Sequence, residues 1–163
     1  MEKNDLYICD KCNNEVNEDD EFCTECGSLF EENIQCENHK ENLAKGVCII
    51  CSIPYCEKCG FEVNNLFLCN KHNNYEIYQN MVRVNGTLDD LEAQYLKSCL
   101  EKENLHPILF CKIQPKGGPR FVYSLFEAVG DPWGNIVNEI KIMVPSQEVI
   151  KSEEIIDLVK ENK

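Results

Sequence analysis

Six pairs of metal-ligand residues, each with two residues between its members, constrain this chain more than any other feature of its sequence. They are Cys9/Cys12, Cys23/Cys26, Cys36/His39, Cys48/Cys51, Cys56/Cys59 and Cys69/His72. A C-x2-C or C-x2-H turn is tight enough to aim both side chains at one ion, and two such turns complete a tetrahedral set. The six pairs supply twelve ligands, which divide without remainder into three four-ligand sites. With every position filled by a protein atom, no place is left for a reacting water, so the sites are expected to be structural rather than catalytic. Zn²⁺ is the expected ion, three per chain. Four thiolates at the first two pairs would also suit iron, which a coloured protein would reveal. Identical spacing repeated along the chain argues against scattered core cysteines or redox thiols. Gly27 and Gly60 each follow the second member of a pair. Backbone freedom at that position lets N–H groups approach the sulfurs.

Composition divides the chain near residue 80. Ten of the twelve cysteines lie in residues 1–79, and only Cys99 and Cys111 lie beyond. The first part has few large aliphatic residues, and a segment that small needs disulfides or metal to offset chain entropy. Disulfides need an oxidising compartment. The first residues, MEKNDLYICD, show no basic segment, apolar stretch and cleavage site in succession, so a cytoplasmic location and reduced thiols are expected. No apolar run approaches the roughly 20 residues that a membrane helix requires. The formal net charge is −13. Residues 1–79 contribute six Lys/Arg against sixteen Asp/Glu, or −10, and the remainder ten against thirteen, or −3. Ten ligating thiolates would outweigh the charge of three Zn²⁺ ions by a further four. Nucleic-acid binding draws much of its affinity from Lys/Arg on phosphates, so this balance disfavours DNA or RNA as partner.

Residues 9–26 read C-x2-C-x10-C-x2-C, with Phe22 before the second pair and Gly27 after it. This resembles the short zinc ribbon found at the ends of many prokaryotic proteins. Asp19, Asp20 and Glu21 at its tip would repel phosphate, which points to a structural or protein-facing ribbon. Residues 36–72 read C-x2-H-x8-C-x2-C-x4-C-x2-C-x9-C-x2-H, with Pro54 and Tyr55 in the short spacer and LFLC leading into the last pair. That array resembles the B-box-type zinc finger, a two-zinc cross-brace. The resemblance implies one ion on Cys36, His39, Cys56 and Cys59, and another on Cys48, Cys51, Cys69 and His72. The array departs from the usual eukaryotic form in ending Cys69/His72 after nine residues. Sequential pairing, first pair with second and third with fourth, is the competing topology. B-box fingers mediate protein–protein contacts, often beside a RING domain. A RING would need eight further ligands and the ribbon supplies four, so ubiquitin ligase activity is not expected.

Residues 80–163 carry ordinary globular patterning. Met81–Val84 alternate as a short strand. Thr87 offers a helix cap with Asp89 and Asp90 behind it, and Leu88, Leu91, Tyr95 and Cys99, flanked by Leu96 and Leu100, predict an amphipathic helix over 88–103. Strands are predicted at 108–113, 121–128 and 136–144, with turns at Pro115–Arg120 and Gly130–Asn135. Ser146 is expected to cap a final helix with Val149, Ile150, Ile155, Ile156 and Val159 inward. The result is an α+β domain of order β-α-β-β-β-α, an antiparallel-rich sheet with two helices on one face. This order, with VRV at its start, LEAQYLKSCLEKEN in the helix, the Pro132–Gly134 turn and IKIMVPSQEV near the end, resembles the family of prokaryotic signal transducing proteins. The resemblance implies a regulatory or sensing role and no catalytic motif.

Cys99 and Cys111 are expected to be small core hydrophobes, and His106 a surface residue at a helix end. Trp133 suits an exposed contact and the lid of a core equally. Gly117, Gly118 and Arg120 could meet an anion, though Gly-Gly in a hairpin connection usually means only a turn. No paired carboxylates, nucleophile–base set or phosphate loop stands out in the sequence. The expected architecture is a zinc ribbon at 1–32, a B-box-like finger at 33–79 and the α+β domain at 80–163. The expected function is a non-catalytic protein-interaction or signalling adaptor with protein partners. Nucleic-acid binding through the ribbon is the alternative.

Overall fold

Strands of two to four residues dominate the first half of the chain, because ligand pairs and turns interrupt it too often for anything longer. The computed structural model describes residues 6–111 and 139–161. The chain divides into two compact units, Met1–Asn80 and Met81–Lys163.

In the first unit, β1 (Leu6–Ile8) pairs antiparallel with β2 (Glu15–Asn17), setting Tyr7 opposite Val16. β3 (Gly46–Val47) pairs with β4 (Pro54–Tyr55), and β5 (Gly60–Val63) with β6 (Leu66–Cys69). Asn64 and Asn65 turn the last hairpin with φ of 50° and 65°, the double left-handed geometry of a two-residue loop that asparagine tolerates. A short strand, β7 (Ile77–Tyr78), closes the unit. The buried residues are eight of the ten paired cysteines, all but Cys12 and Cys51, plus a thin apolar set, among them Val47, Ile49, Ile50, Phe67 and Leu68. Sulfur thus takes the place that aliphatic side chains hold in an ordinary core.

The second unit runs β8 (Met81–Thr87), α1 (Asp90–Lys102), β9 (Ile108–Cys111), β10 (Ile140–Pro145), a 3₁₀ turn (Ser146–Glu148) and α2 (Val149–Glu161). β10 lies between β8 and β9 and runs antiparallel to both, so β8, α1 and β9 form a β-α-β crossover with a third strand in its gap. α1 and α2 pack on each other and on β8 and β10. Val82, Ala93, Leu96, Leu100, Ile142, Val144, Val149 and Ile156 fill the layer between. Glu139, largely buried, is paired with Arg83, and the missing side chain of Gly86 leaves room for that pair.

Four expectations for this unit change. The α1 cap is Asp89, whose Oδ1 accepts from the N–H groups of Leu91 and Glu92; Thr87 ends β8, and its hydroxyl accepts from Asp89 N. The buried stripe of α1 is Ala93, Leu96 and Leu100, whereas Leu91 is 79% exposed and Leu88 and Tyr95 are also exposed. Both stripes repeat at helical steps, and the sheet takes the one that begins with a small alanine. Cys111 is exposed and Cys99 half-buried, so neither sits in the core. In α2, Val149 and Ile156 are buried with Ser152 between them, while Ile150 is exposed. The strand at 121–128, both turns, Gly117, Gly118, Arg120 and Trp133 lie outside the described residues. No described helix is long and apolar enough to cross a membrane.

Candidate metal centres

Each ligand pair sits where a local turn forces its two side chains together. Cys9 and Cys12 occupy the connection from β1 to β2. There Asn13 N donates to Cys9 O at 2.8 Å, and Asn13 takes a left-handed φ of 60°. The same turn recurs at Cys23–Cys26, where Gly27 N donates to Cys23 O at 2.8 Å with φ of 78°, and at Cys48–Cys51, where Ser52 N donates to Cys48 O at 2.8 Å with φ of 55°. The glycine signal therefore has two causes. Gly27 takes the left-handed conformation. Gly60 does not, but a Cβ there would lie 2.8 Å from Leu68 O and from the Phe67 ring.

The turns bring the twelve ligands into three groups. Cys9, Cys12, Cys23 and Cys26 form the first, Cys36, His39, Cys56 and Cys59 the second, and Cys48, Cys51, Cys69 and His72 the third. Within each group all ligand atoms lie within 4.8 Å of one another. The second and third groups interleave along the chain, joining first pair with third and second with fourth.

The spacings fit a tetrahedral ion. Bonds of about 2.3 Å to sulfur and 2.0–2.1 Å to nitrogen imply edges of about 3.8 Å between sulfurs and about 3.6 Å between sulfur and nitrogen. Cys9 Sγ and Cys26 Sγ lie 3.7 Å apart, and Cys12 Sγ and Cys23 Sγ 3.5 Å. His39 Nδ1 lies 3.9, 3.5 and 3.2 Å from the sulfurs of Cys36, Cys56 and Cys59. His72 Nδ1 lies 3.5 and 3.3 Å from those of Cys48 and Cys69. These distances far exceed the ~2.05 Å of a disulfide, and all twelve cysteines are free.

Four donors this close cannot all carry charge unless a cation neutralises them. Left to themselves they divide their protons unevenly. The Cys51 thiol, hydrogen-bonded to Cys48, holds Cys48 down to about 4 against its burial, and Cys51 is pushed up in return. Burial pushes Cys36 up, but backbone N–H groups around Cys56 and His39 outweigh it and bring the thiol to about 6. Burial likewise raises Cys9, but the N–H groups of Cys12 and Lys11 outweigh it and bring the thiol below its ordinary value, to about 7. In Cys23 burial prevails and the thiol moves up. A divalent cation resolves the conflict by deprotonating every thiol it binds.

Three polar neighbours of the sulfurs escape a search for ligand spacing. Asn14 Nδ2 donates to Cys12 Sγ at 3.4 Å, Asn38 Nδ2 donates to Cys59 Sγ at 3.4 Å, and Ser28 Oγ lies 3.2 Å from Cys26 Sγ. Asn14 and Ser28 each stand two residues beyond the second cysteine of a pair, which is the signal that could have found them. Asn38 reaches across to the opposite pair and leaves no such mark.

The first group is also joined to the other two. Phe67 N donates to Cys26 O at 2.9 Å and Val47 N to Gly27 O at 2.8 Å. Lys11 Nζ pairs with Glu62 at 2.5 Å, and Asn80 Nδ2 donates to Glu25 at 2.6 Å. No family model matches the chain, and no curated protein or solved structure matches it.

Proposed function

We propose that residues 1–80 are a three-zinc interaction platform, a short ribbon joined to a B-box-like cross-brace, and that the chain acts as a non-catalytic protein-interaction or signalling adaptor in the cytoplasm. The observation that carries the reading is that each metal group draws four Cys/His donors from the chain itself, within 4.8 Å of one another. An ion held that way has no open position for water or substrate, and its contribution is to folding. Zn²⁺ suits such N/S sets better than harder cations do. What such a fold presents to the outside is its surface. The second unit would then carry the sensing role, with the order β-α-β-β-β-α of a signal-transducing domain.

Capture from a native cell extract tests this. The zinc-loaded intact chain should retain a defined protein partner, lose it on chelation and regain it when zinc is restored. Electrophoretic shift at low salt should show no tight complex with DNA or RNA. A tight complex there, or turnover of a substrate by the zinc-loaded protein, would overturn the adaptor reading.

A further inference from the structure

An apolar groove runs along the first hairpin; Val16, one of its lining residues, packs with Cys9, Cys23 and Cys26. Tyr7, Ile8 and Phe30 are 47%, 64% and 43% exposed. With Val16 they line an open depression of about 360 Å³, whose other walls are Asp10, Asn17, Glu18 and Asp20, the last accepting from the Asn17 N–H. Large apolar side chains exposed together and rimmed by charge mark interaction surfaces. The sign of the rim decides what can dock. Residues 6–35 contain nine Asp/Glu and one lysine, Lys11, and that lysine is paired with Glu62. A loaded four-thiolate centre at Cys9, Cys12, Cys23 and Cys26 would add two further negative charges directly behind the groove. Phosphate, nucleic acid and an anionic lipid surface are repelled by such a field, whereas cationic groups are drawn to it.

We propose that this groove docks a cationic amphipathic peptide segment, in which aliphatic or aromatic side chains seat against Tyr7, Ile8 and Phe30 while flanking Lys or Arg meet Asp10, Glu18 and Asp20. The proposal rests on the adaptor reading and gives it a partner chemistry.

The test uses the full zinc-loaded chain and a short fluorescein-labelled peptide alternating lysine and leucine. Anisotropy at low salt should show saturable binding. Phe30→Ser or Ile8→Ser should weaken it at least about tenfold, and Asp10→Lys with Glu18→Lys by a similar factor. Each variant should still hold three zinc ions per chain. If a variant loses zinc, amide shift mapping on the unmodified protein decides instead, with perturbations expected around Tyr7, Ile8 and Phe30. Equal affinity for a lysine–serine peptide, preference for a glutamate–leucine peptide, binding to vesicles of anionic phospholipid, or shifts centred elsewhere would each overturn the proposal. Failure of the peptide to bind while the intact chain still captures a protein partner removes this groove and leaves the adaptor role standing. Loss of that capture with peptide binding retained removes the adaptor role instead.

Discussion

Gly27 and Val47 are in backbone contact: the Gly27 carbonyl accepts the Val47 N–H at 2.8 Å, and a Cβ on Gly27 would lie 2.0 Å from the Val47 carbonyl oxygen. One residue thereby serves two purposes. Its left-handed φ closes the turn that holds Cys23 and Cys26, and its bare α-carbon lets that turn seat on β3. The four-thiol group and the interleaved groups share a wall because of it.

Substitution at this position separates the two demands from ordinary turn chemistry. Gly27→Ala should destabilise the first unit by at least about 2 kcal/mol, because the left-handed conformation and the clash with Val47 add. Ser52→Gly, at a left-handed position where serine is strained, should be neutral or stabilising by up to about 1 kcal/mol. Denaturant titration of the zinc-loaded protein checks both, and equal effects of the two changes would contradict the geometry.

Metal removal should act on one unit and spare the other. Structural zinc contributes roughly 10–16 kcal/mol in small finger peptides, and the first unit has little apolar core to fall back on. Elemental analysis should return about three zinc atoms per chain. A strong chelator should collapse the amide spectrum of residues 6–80 and leave the resonances of the second unit in place. Metal near zero in a still-folded sample would contradict this outcome.

The amide donors to sulfur should tune affinity without deciding the fold. Asn14→Ala and Asn38→Ala each remove one N–H···S bond, and such neighbours typically contribute 10–100-fold in metal affinity. Competition against a chromophoric chelator should show that loss at one ion per chain in each variant, with the other two unchanged.

In the second unit, two leucines five residues apart should behave oppositely. Leu96→Ala empties a fully buried position and should cost about 2–5 kcal/mol. Leu91→Ala removes a side chain standing in solvent and should stay within about 0.5 kcal/mol. The thermal transition that survives chelation measures both.

The ligand pairs were legible in the sequence because a C-x2-C turn is a local event, complete within a few residues. Their grouping was not a local matter. Both the interleaved and the sequential arrangement satisfied the spacing of residues 36–72, and the structure interleaves them. The seat of Gly27 on Val47 was invisible for the same reason, since it joins residues 20 apart. In α1 two apolar stripes both repeat at helical steps. The larger side chains of Leu91 and Tyr95 drew the expectation outward, while the space beside the sheet selected Ala93, Leu96 and Leu100.

Interleaving also changes what a break in the chain would do. A cut in the short run from Ser52 to Tyr55 leaves Cys36, His39, Cys48 and Cys51 on one fragment and Cys56, Cys59, Cys69 and His72 on the other. An ion held by either group would then bridge the two fragments, as a rivet does two plates. Had the pairs closed in sequence, the same cut would have released two separately finished lobes. A metal-loaded molecule of this topology, once nicked, should travel as one body until the metal is stripped.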